Sequence, residues 1–129
     1  MLFVVWQCGS ALYEGPALSN RAVWRFHAHL NSGEFEAICN EADEVLAQGE
    51  NREELLDVLQ AVHRKLGDAG EEKFVNLHVD VTTNGTFILS QYATTFDQGK
   101  ATETFTWRKS GRTLKLYSYH VESRVFLQQ

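Results

Sequence analysis

The chain has 129 residues, of which 43% are hydrophobic and 22% charged, the composition of a folded domain and not of a disordered segment. Its formal net charge is −5 and its 12 Lys and Arg are scattered, which argues against the concentrated basic surface that nucleic-acid binding needs. This length favours one domain with an ordinary core, without disulfides or metals as staples.

The two cysteines, Cys8 and Cys39, stand far apart in the sequence, and neither belongs to a CxxC pair. A structural zinc site takes about four N or S ligands, so none is predicted. We expect Cys39 to be a small buried side chain on a helix. A disulfide remains an open alternative.

The first six residues form a short apolar run that ends at Gln7, Cys8 and Gly9. A membrane span takes about 20 residues, so this run is too short to be one. Two interpretations remain open. The run is the remnant of a lipoprotein signal whose true start lies upstream, with Cys8 as the lipidation site, or it is an ordinary N-terminal strand or arm packed on the domain. Gln7 disfavours the signal, because the residue before a lipidated Cys is small.

A linker is predicted at residues 12–16, where Gly15 and Pro16 interrupt any regular pattern. The chain therefore divides into an arm or signal remnant, residues 1–16, and a single domain, residues 17–129. Apolar residues at helical spacing then predict three helices. They cover residues 20–33, 34–47 and 51–67.

After Gly70 the apolar period changes from 3.6 to 2, which indicates strands. Four are predicted, at residues 74–83, 86–96, 101–109 and 113–123. Asn84 and Gly85 between the first two predict a hairpin with a type I′ turn. Short connections favour an antiparallel meander. The predicted fold class is α+β, with three N-terminal helices packed on a curled four-stranded sheet.

Two of the predicted strands are apolar on both faces. In the second strand Phe87 and Leu89 lie on one face, and Ile88 lies on the other. The fourth strand likewise sets Leu114 and Leu116 against a second apolar group, namely Tyr117, Tyr119 and Val121. A sheet covered by helices on one side does not need this pattern. Either the sheet curls around a pocket, or a partner or the N-terminal arm covers its second face.

Several segments resemble one family. They are FHAHLNSGEFEAI at residues 26–38, VHRKLG at 62–67, YATTF at 92–96, and the single residues Gly99, Glu103, Phe105, Trp107, Leu116, Tyr119, Val121 and Ser123. The chain resembles the cystatin-like superfamily, which includes ketosteroid-isomerase-like and nuclear-transport-factor-like domains. More narrowly, it is similar to a family of uncharacterised small bacterial proteins with this fold, although Ser118 stands where that family usually has Gly.

Many members of that bacterial family are lipoproteins. The resemblance therefore implies a place in the bacterial cell envelope or periplasm, with a cytoplasmic location as the alternative. It also strengthens the interpretation of Cys8 as a lipidation site. The family supplies no reaction, so the resemblance implies no mechanism.

The polar residues match no known catalytic motif. Ketosteroid-isomerase-like enzymes use an Asp base and a Tyr in an oxyanion hole. Asp80 and Asp97 could be placed beside tyrosines, but no motif supports this, and solvated acids are expected. His27 and His29 point to nearly opposite sides of a helix. We expect exposed or singly hydrogen-bonded histidines, and no metal or cofactor.

The favoured function is a non-enzymatic binding or interaction domain. A small ketosteroid-isomerase-like enzyme is the first alternative, and an immunity or inhibitor protein is the second. The candidate pocket or interface residues are Tyr92, Phe96, Tyr117, Tyr119, His78 and His120. The expected partners are a second copy or another protein at the sheet, or a small apolar ligand. Nucleic acid is not expected, and a membrane is expected only through a lipid anchor.

Overall fold

The computed structural model describes residues 2–127, with side chains from residue 14 onward. Its helices are α1 (Leu2–Asn31), α2 (Phe35–Glu41), α3 (Glu44–Ala47) and α4 (Gly49–Leu66). Its strands are β1 (Ala69–Thr82), β2 (Gly85–Phe96), β3 (Gly99–Ser110) and β4 (Thr113–Glu122), followed by a 3₁₀ helix at Arg124–Leu127. The predicted α+β class is confirmed, because the helices precede an open, curled antiparallel sheet. The side chain of Cys8 lies outside the described residues, so its lipidation stays a prediction, as does the division of the chain at residue 16.

Helix α1 is longer than predicted, and the linker expected at residues 12–16 is wrong. Pro16 lies inside α1, although proline usually ends a helix because it has no N–H to donate. This segment contacts the sheet and the turn between β3 and β4. Glu14 pairs with Arg112 at 2.8 Å, and Gly15 lies against Leu77. Among the described residues, no helix is both long and apolar enough to cross a bilayer.

The second predicted helix is divided into α2 and α3. Ala42 between them is extended, and the Asp43 carboxylate caps α3 by accepting a hydrogen bond from the Val45 N–H at 3.2 Å. The Asp43 N–H donates to the Leu116 carbonyl at 2.9 Å. The break therefore fastens the helical layer to the edge strand β4, a contact that helical periodicity cannot predict.

The sheet is a meander with strand order β1-β2-β3-β4, as predicted. Thr82 pairs with Gly85, which confirms the first hairpin. Its turn residues are Thr83 and Asn84, and Asn84 does not have the positive φ that a type I′ turn requires. The predicted turn type is therefore wrong. The Thr82 hydroxyl stabilises the turn instead, by accepting from the Asn84 N–H at 3.1 Å and donating to the Gly85 carbonyl at 3.0 Å.

A β-bulge explains the apolar pattern of β4. Its neighbour β3 pairs with Leu116 and then with Ser118, which leaves Tyr117 as the extra residue. One extra residue reverses the alternation of faces. The apolar residues on both sides of the bulge therefore share the face that packs on the core, and these are Leu114, Leu116, Tyr119 and Val121. The prediction that β4 is apolar on both faces is wrong.

The helices cover one face of the sheet, here called the inner face, and the core lies between them. Its fully buried members include Val23, Leu30, Cys39, Leu59, Leu66, Ile88, Tyr92 and Phe105. Cys39 is buried on α2, as predicted, and its thiol is free. The opposite, outer face of the sheet has no helix against it among the described residues.

Gly67 ends α4 with a positive φ of 81°, which favours glycine. A Cβ at this position would lie 2.7 Å from Asp97 Oδ2 and 2.8 Å from Asp97 Cβ. We therefore expect Gly67→Ala to lower the free energy of unfolding by about 2 kcal/mol, measured by urea denaturation. Gly111 (φ 61°) has no atom within 4 Å of such a Cβ. An equal loss in the control Gly111→Ala would contradict a role for the Asp97 contact.

Candidate functional site

The six candidate residues on the sheet lie on two opposite faces. Tyr92, Phe96 and Tyr119 lie on the inner face, whereas His78, Tyr117 and His120 lie on the outer face. His78 and His120 belong to β1 and β4, the two outermost strands, and do not meet. The structure therefore does not bring these six residues together in one pocket.

The outer face has an aromatic corner. The rings of Phe87 and Tyr117 meet edge to face with centroids 5.0 Å apart, and the Arg108 guanidinium lies 5.2 Å from each ring centroid. Leu89 is the next apolar residue on this face. The remaining outward side chains are mostly polar and include Asn76, His78, Asp80, Gln91, Thr104 and His120. This face is therefore less apolar than the sequence suggests.

The inner face contains a charged group, Glu103 of β3, that is completely buried. Its carboxylate accepts three hydrogen bonds. His27 Nε2 donates to Oε1 at 2.7 Å, the Thr94 hydroxyl donates to Oε1 at 2.5 Å, and the Tyr119 hydroxyl donates to Oε2 at 2.6 Å. A buried carboxylate is tolerated only when it is paired and hydrogen-bonded in this way.

His27 of α1 is buried and connects two carboxylates. Its Nε2 bonds Glu103, and its Nδ1 lies 3.2 Å from Glu72 Oε1 on β1. Burial by itself lowers the pKa of the imidazole, but the hydrogen bonds and charges of Glu103 and Glu72 outweigh it and raise the pKa to about 9. His27 is therefore an imidazolium at neutral pH. The expectation of an exposed or singly bonded histidine is wrong for this residue.

Tyr119 is a neutral hydrogen-bond donor in this network. Burial raises its pKa well above 10, and the negative charge of Glu103 and the hydrogen bond to that carboxylate raise it further. Together His27, Glu72, Glu103, Thr94 and Tyr119 form what we call the buried network. It joins α1 to β1, β2, β3 and β4.

Glu72 is where the buried network reaches the surface. A cleft of about 320 Å³ opens there between α1 and β1, lined by Asn20, Trp24, Glu72, Phe74 and Tyr92. Trp24 is 68% exposed and Phe74 is 44% exposed, which is unusual for large aromatic side chains. They form the aromatic part of the cleft, and the Phe74 ring meets the Tyr92 ring edge to face at 5.7 Å.

The polar part of the cleft is held in place by hydrogen bonds. The Tyr92 hydroxyl donates to Asn20 Oδ1 at 2.5 Å and lies 2.9 Å from the Ser19 hydroxyl. Burial raises the pKa of Tyr92, the bond to Ser19 opposes this, and the charge of Glu72 adds to it. The phenol is therefore neutral and already oriented.

Asp97 and Asp80, the two candidate catalytic acids, lie away from the cleft. Asp97 accepts a hydrogen bond from the Asp68 N–H at 2.8 Å, at the turn that follows β2, and Asp80 is exposed on the outer face. Neither faces a buried tyrosine. In the part of the chain with described side chains, no three His, Cys, Asp or Glu residues are placed to hold a metal ion.

No family model matches the chain, and no curated protein matches it. Among solved structures, it is similar to a protein from Catenulispora acidiphila determined at 2.5 Å. The two are 18% identical with a TM-score of 0.52, over 90% of this chain and 94% of that chain. At this identity the likeness shows a shared fold alone, and no activity is named for that protein.

Proposed function

We propose that this protein is a non-enzymatic binding domain that takes a small molecule in the cleft between α1 and β1. The observation that carries the proposal is the pairing of two exposed aromatic side chains, Trp24 and Phe74, with oriented polar groups in one concavity. Small-molecule sites have this composition, and the cleft's volume lies at the lower end of their usual range of about 300–1,000 Å³.

The polar groups of the cleft are preorganised. Glu72 is held by His27, and Tyr92 is held by Asn20 and Ser19. All five residues belong to a helix or a strand and not to loops. Groups fixed before binding lose little conformational entropy when a ligand arrives, which favours recognition by this cleft.

The protonation and the hydrogen bonds of His27 favour a binding function over acid–base catalysis. Both of its ring nitrogens are engaged by carboxylates and its pKa is about 9. It therefore has no free nitrogen with which to take a proton from a substrate at neutral pH. The outer face, with apolar groups mainly at one corner, gives less support to a protein partner than the cleft gives to a small ligand.

We also propose that the fold is of the cystatin-like kind and that the protein belongs to a bacterial cell envelope, with a lipid on Cys8. The order of helices before an open meander supports the fold. The short apolar run before Cys8 supports the anchor. Mass spectrometry of the protein purified from its native membrane fraction tests the anchor, since a lipidated Cys8 adds the mass of its acyl chains.

Replacing Trp24 with alanine tests the role of the cleft. With 2-phenylethylamine as the probe in calorimetric titrations, we expect Trp24→Ala to weaken binding about fivefold because an aromatic contact worth about 1 kcal/mol is lost. Because Trp24 is 68% exposed, the substitution should change the free energy of unfolding of the protein by less than about 0.5 kcal/mol.

Val58→Ala is the matched control, since Val58 is an exposed apolar residue of α4 that does not line the cleft. It should bind the probe like the unmodified protein. Equal affinity in Trp24→Ala and Val58→Ala would contradict the proposed site.

A further inference from the structure

The cleft has a charge that is not balanced within the protein. Glu72 is the one charged residue among the five that line it. Its Oε1 accepts a hydrogen bond from His27 Nδ1. No described side chain or backbone group donates a hydrogen bond to its Oε2. The Glu72 side chain is 21% exposed, so a ligand in the cleft can reach this carboxylate.

The buried network leaves a net negative charge beneath the cleft. It contains one cation, the His27 imidazolium, and two carboxylates, Glu72 and Glu103, so one negative charge remains uncompensated. The other groups that face these carboxylates, the hydroxyls of Thr94, Tyr92 and Tyr119, are neutral. Arg25 of α1 does not supply the missing positive charge, because it pairs with Glu41 at 2.6 Å.

The aromatic walls favour the same sign of ligand charge. The face of an aromatic ring is negative, so it attracts a cation, and tryptophan does so most strongly. Trp24 and Phe74 thus act with Glu72, and they also give apolar contact to a ligand's carbon skeleton. The anionic group of a carboxylate or phosphate ligand would be repelled by Glu72 and would not be attracted by the negative faces of the rings.

We propose that the ligand of the cleft is a small organic cation, an apolar skeleton with a primary ammonium group that contacts Glu72 while the skeleton lies between Trp24 and Phe74. The inference rests on the proposed function of the cleft and names the class of its ligand. An ammonium group donates hydrogen bonds and neutralises the uncompensated charge, whereas a neutral hydroxyl of the same shape provides only the hydrogen bond.

The test compares three probes of one shape, namely 2-phenylethylamine, 2-phenylethanol and phenylacetate, titrated at low salt and neutral pH. We expect the ammonium probe to bind about tenfold more tightly than the alcohol, and phenylacetate to bind most weakly. Glu72→Gln, which keeps the shape and an acceptor for His27, should abolish the difference between amine and alcohol. Glu71→Gln, an exposed neighbour on β1, should retain it.

The salt dependence of binding is a second test of the ammonium inference, and it needs no variant. Raising the salt concentration should weaken binding of the amine and leave the alcohol unchanged, since only the charged contact is screened. Equal binding of amine and alcohol by the unmodified protein, within the cleft, would overturn the ammonium inference and leave the proposed function standing. If none of the three probes binds in the cleft, both are wrong.

Discussion

Glu103→Ala is expected to lower the free energy of unfolding by about 3–5 kcal/mol, the usual cost of removing one partner from a buried ion pair. The variant leaves the buried His27 imidazolium with Glu72 alone. It also removes the acceptor of two buried hydroxyls, those of Thr94 and Tyr119. Urea denaturation at pH 7 measures the loss.

Two further variants make this test specific. Glu122→Ala removes an exposed carboxylate from β4 and should change the free energy of unfolding by less than about 0.5 kcal/mol. Glu103→Gln keeps the side-chain shape and a hydrogen-bond acceptor but not the charge. Its free energy of unfolding should therefore lie between that of Glu103→Ala and that of the unmodified protein. A loss below about 1 kcal/mol in Glu103→Ala would contradict the structural role of the buried network.

The stability of the protein is expected to fall as the pH rises through about 9. His27 has a pKa of about 9 in the folded protein and 6.5 as its ordinary value. Because the pKa of His27 is higher in the folded protein, protonation of His27 stabilises the folded state. This stabilisation is complete below pH 6.5 and is lost as the pH rises through 9. The difference of about 2.5 pKa units corresponds to about 3 kcal/mol.

Urea denaturation at intervals between pH 6 and pH 10 measures this decline, with His27→Gln as the reference that lacks the titrating group. The free energy of unfolding of the unmodified protein should fall by about 3 kcal/mol more than that of His27→Gln across this range. Parallel pH profiles for the two proteins would contradict the assignment of His27 as a buried imidazolium.

The fold was predictable from the sequence where local pattern and structure agree. Alternating apolar residues identified all four strands, because a strand buries every second side chain on one face. The misses arose where distant contacts override local pattern. Pro16 stays helical where Glu14 pairs with Arg112, 98 residues away. The bulge at Tyr117 depends on the pairing of β3 with β4, which the sequence of β4 alone does not reveal.

The buried network was missed, although one signal of it was present. Glu103 lies on the same face of its strand as Ala101, Phe105 and Trp107. A charge on the apolar face of a strand indicates a buried, paired carboxylate. Its partners could not be identified, because His27 lies 76 residues away and meets it only when α1 crosses the sheet. The cleft could not be predicted from the sequence for the same reason, since Trp24 lies on α1 and Phe74 on β1.

The cleft is best tested by mapping the amide and indole chemical shifts of the protein during titration with 2-phenylethylamine. The account predicts saturable shifts at the Trp24 indole and at Asn20, Glu72, Phe74 and Tyr92, the residues that line the cleft. Shifts confined to the aromatic corner of the outer face, around Phe87 and Tyr117, would contradict it, and so would the absence of saturable shifts anywhere in the chain.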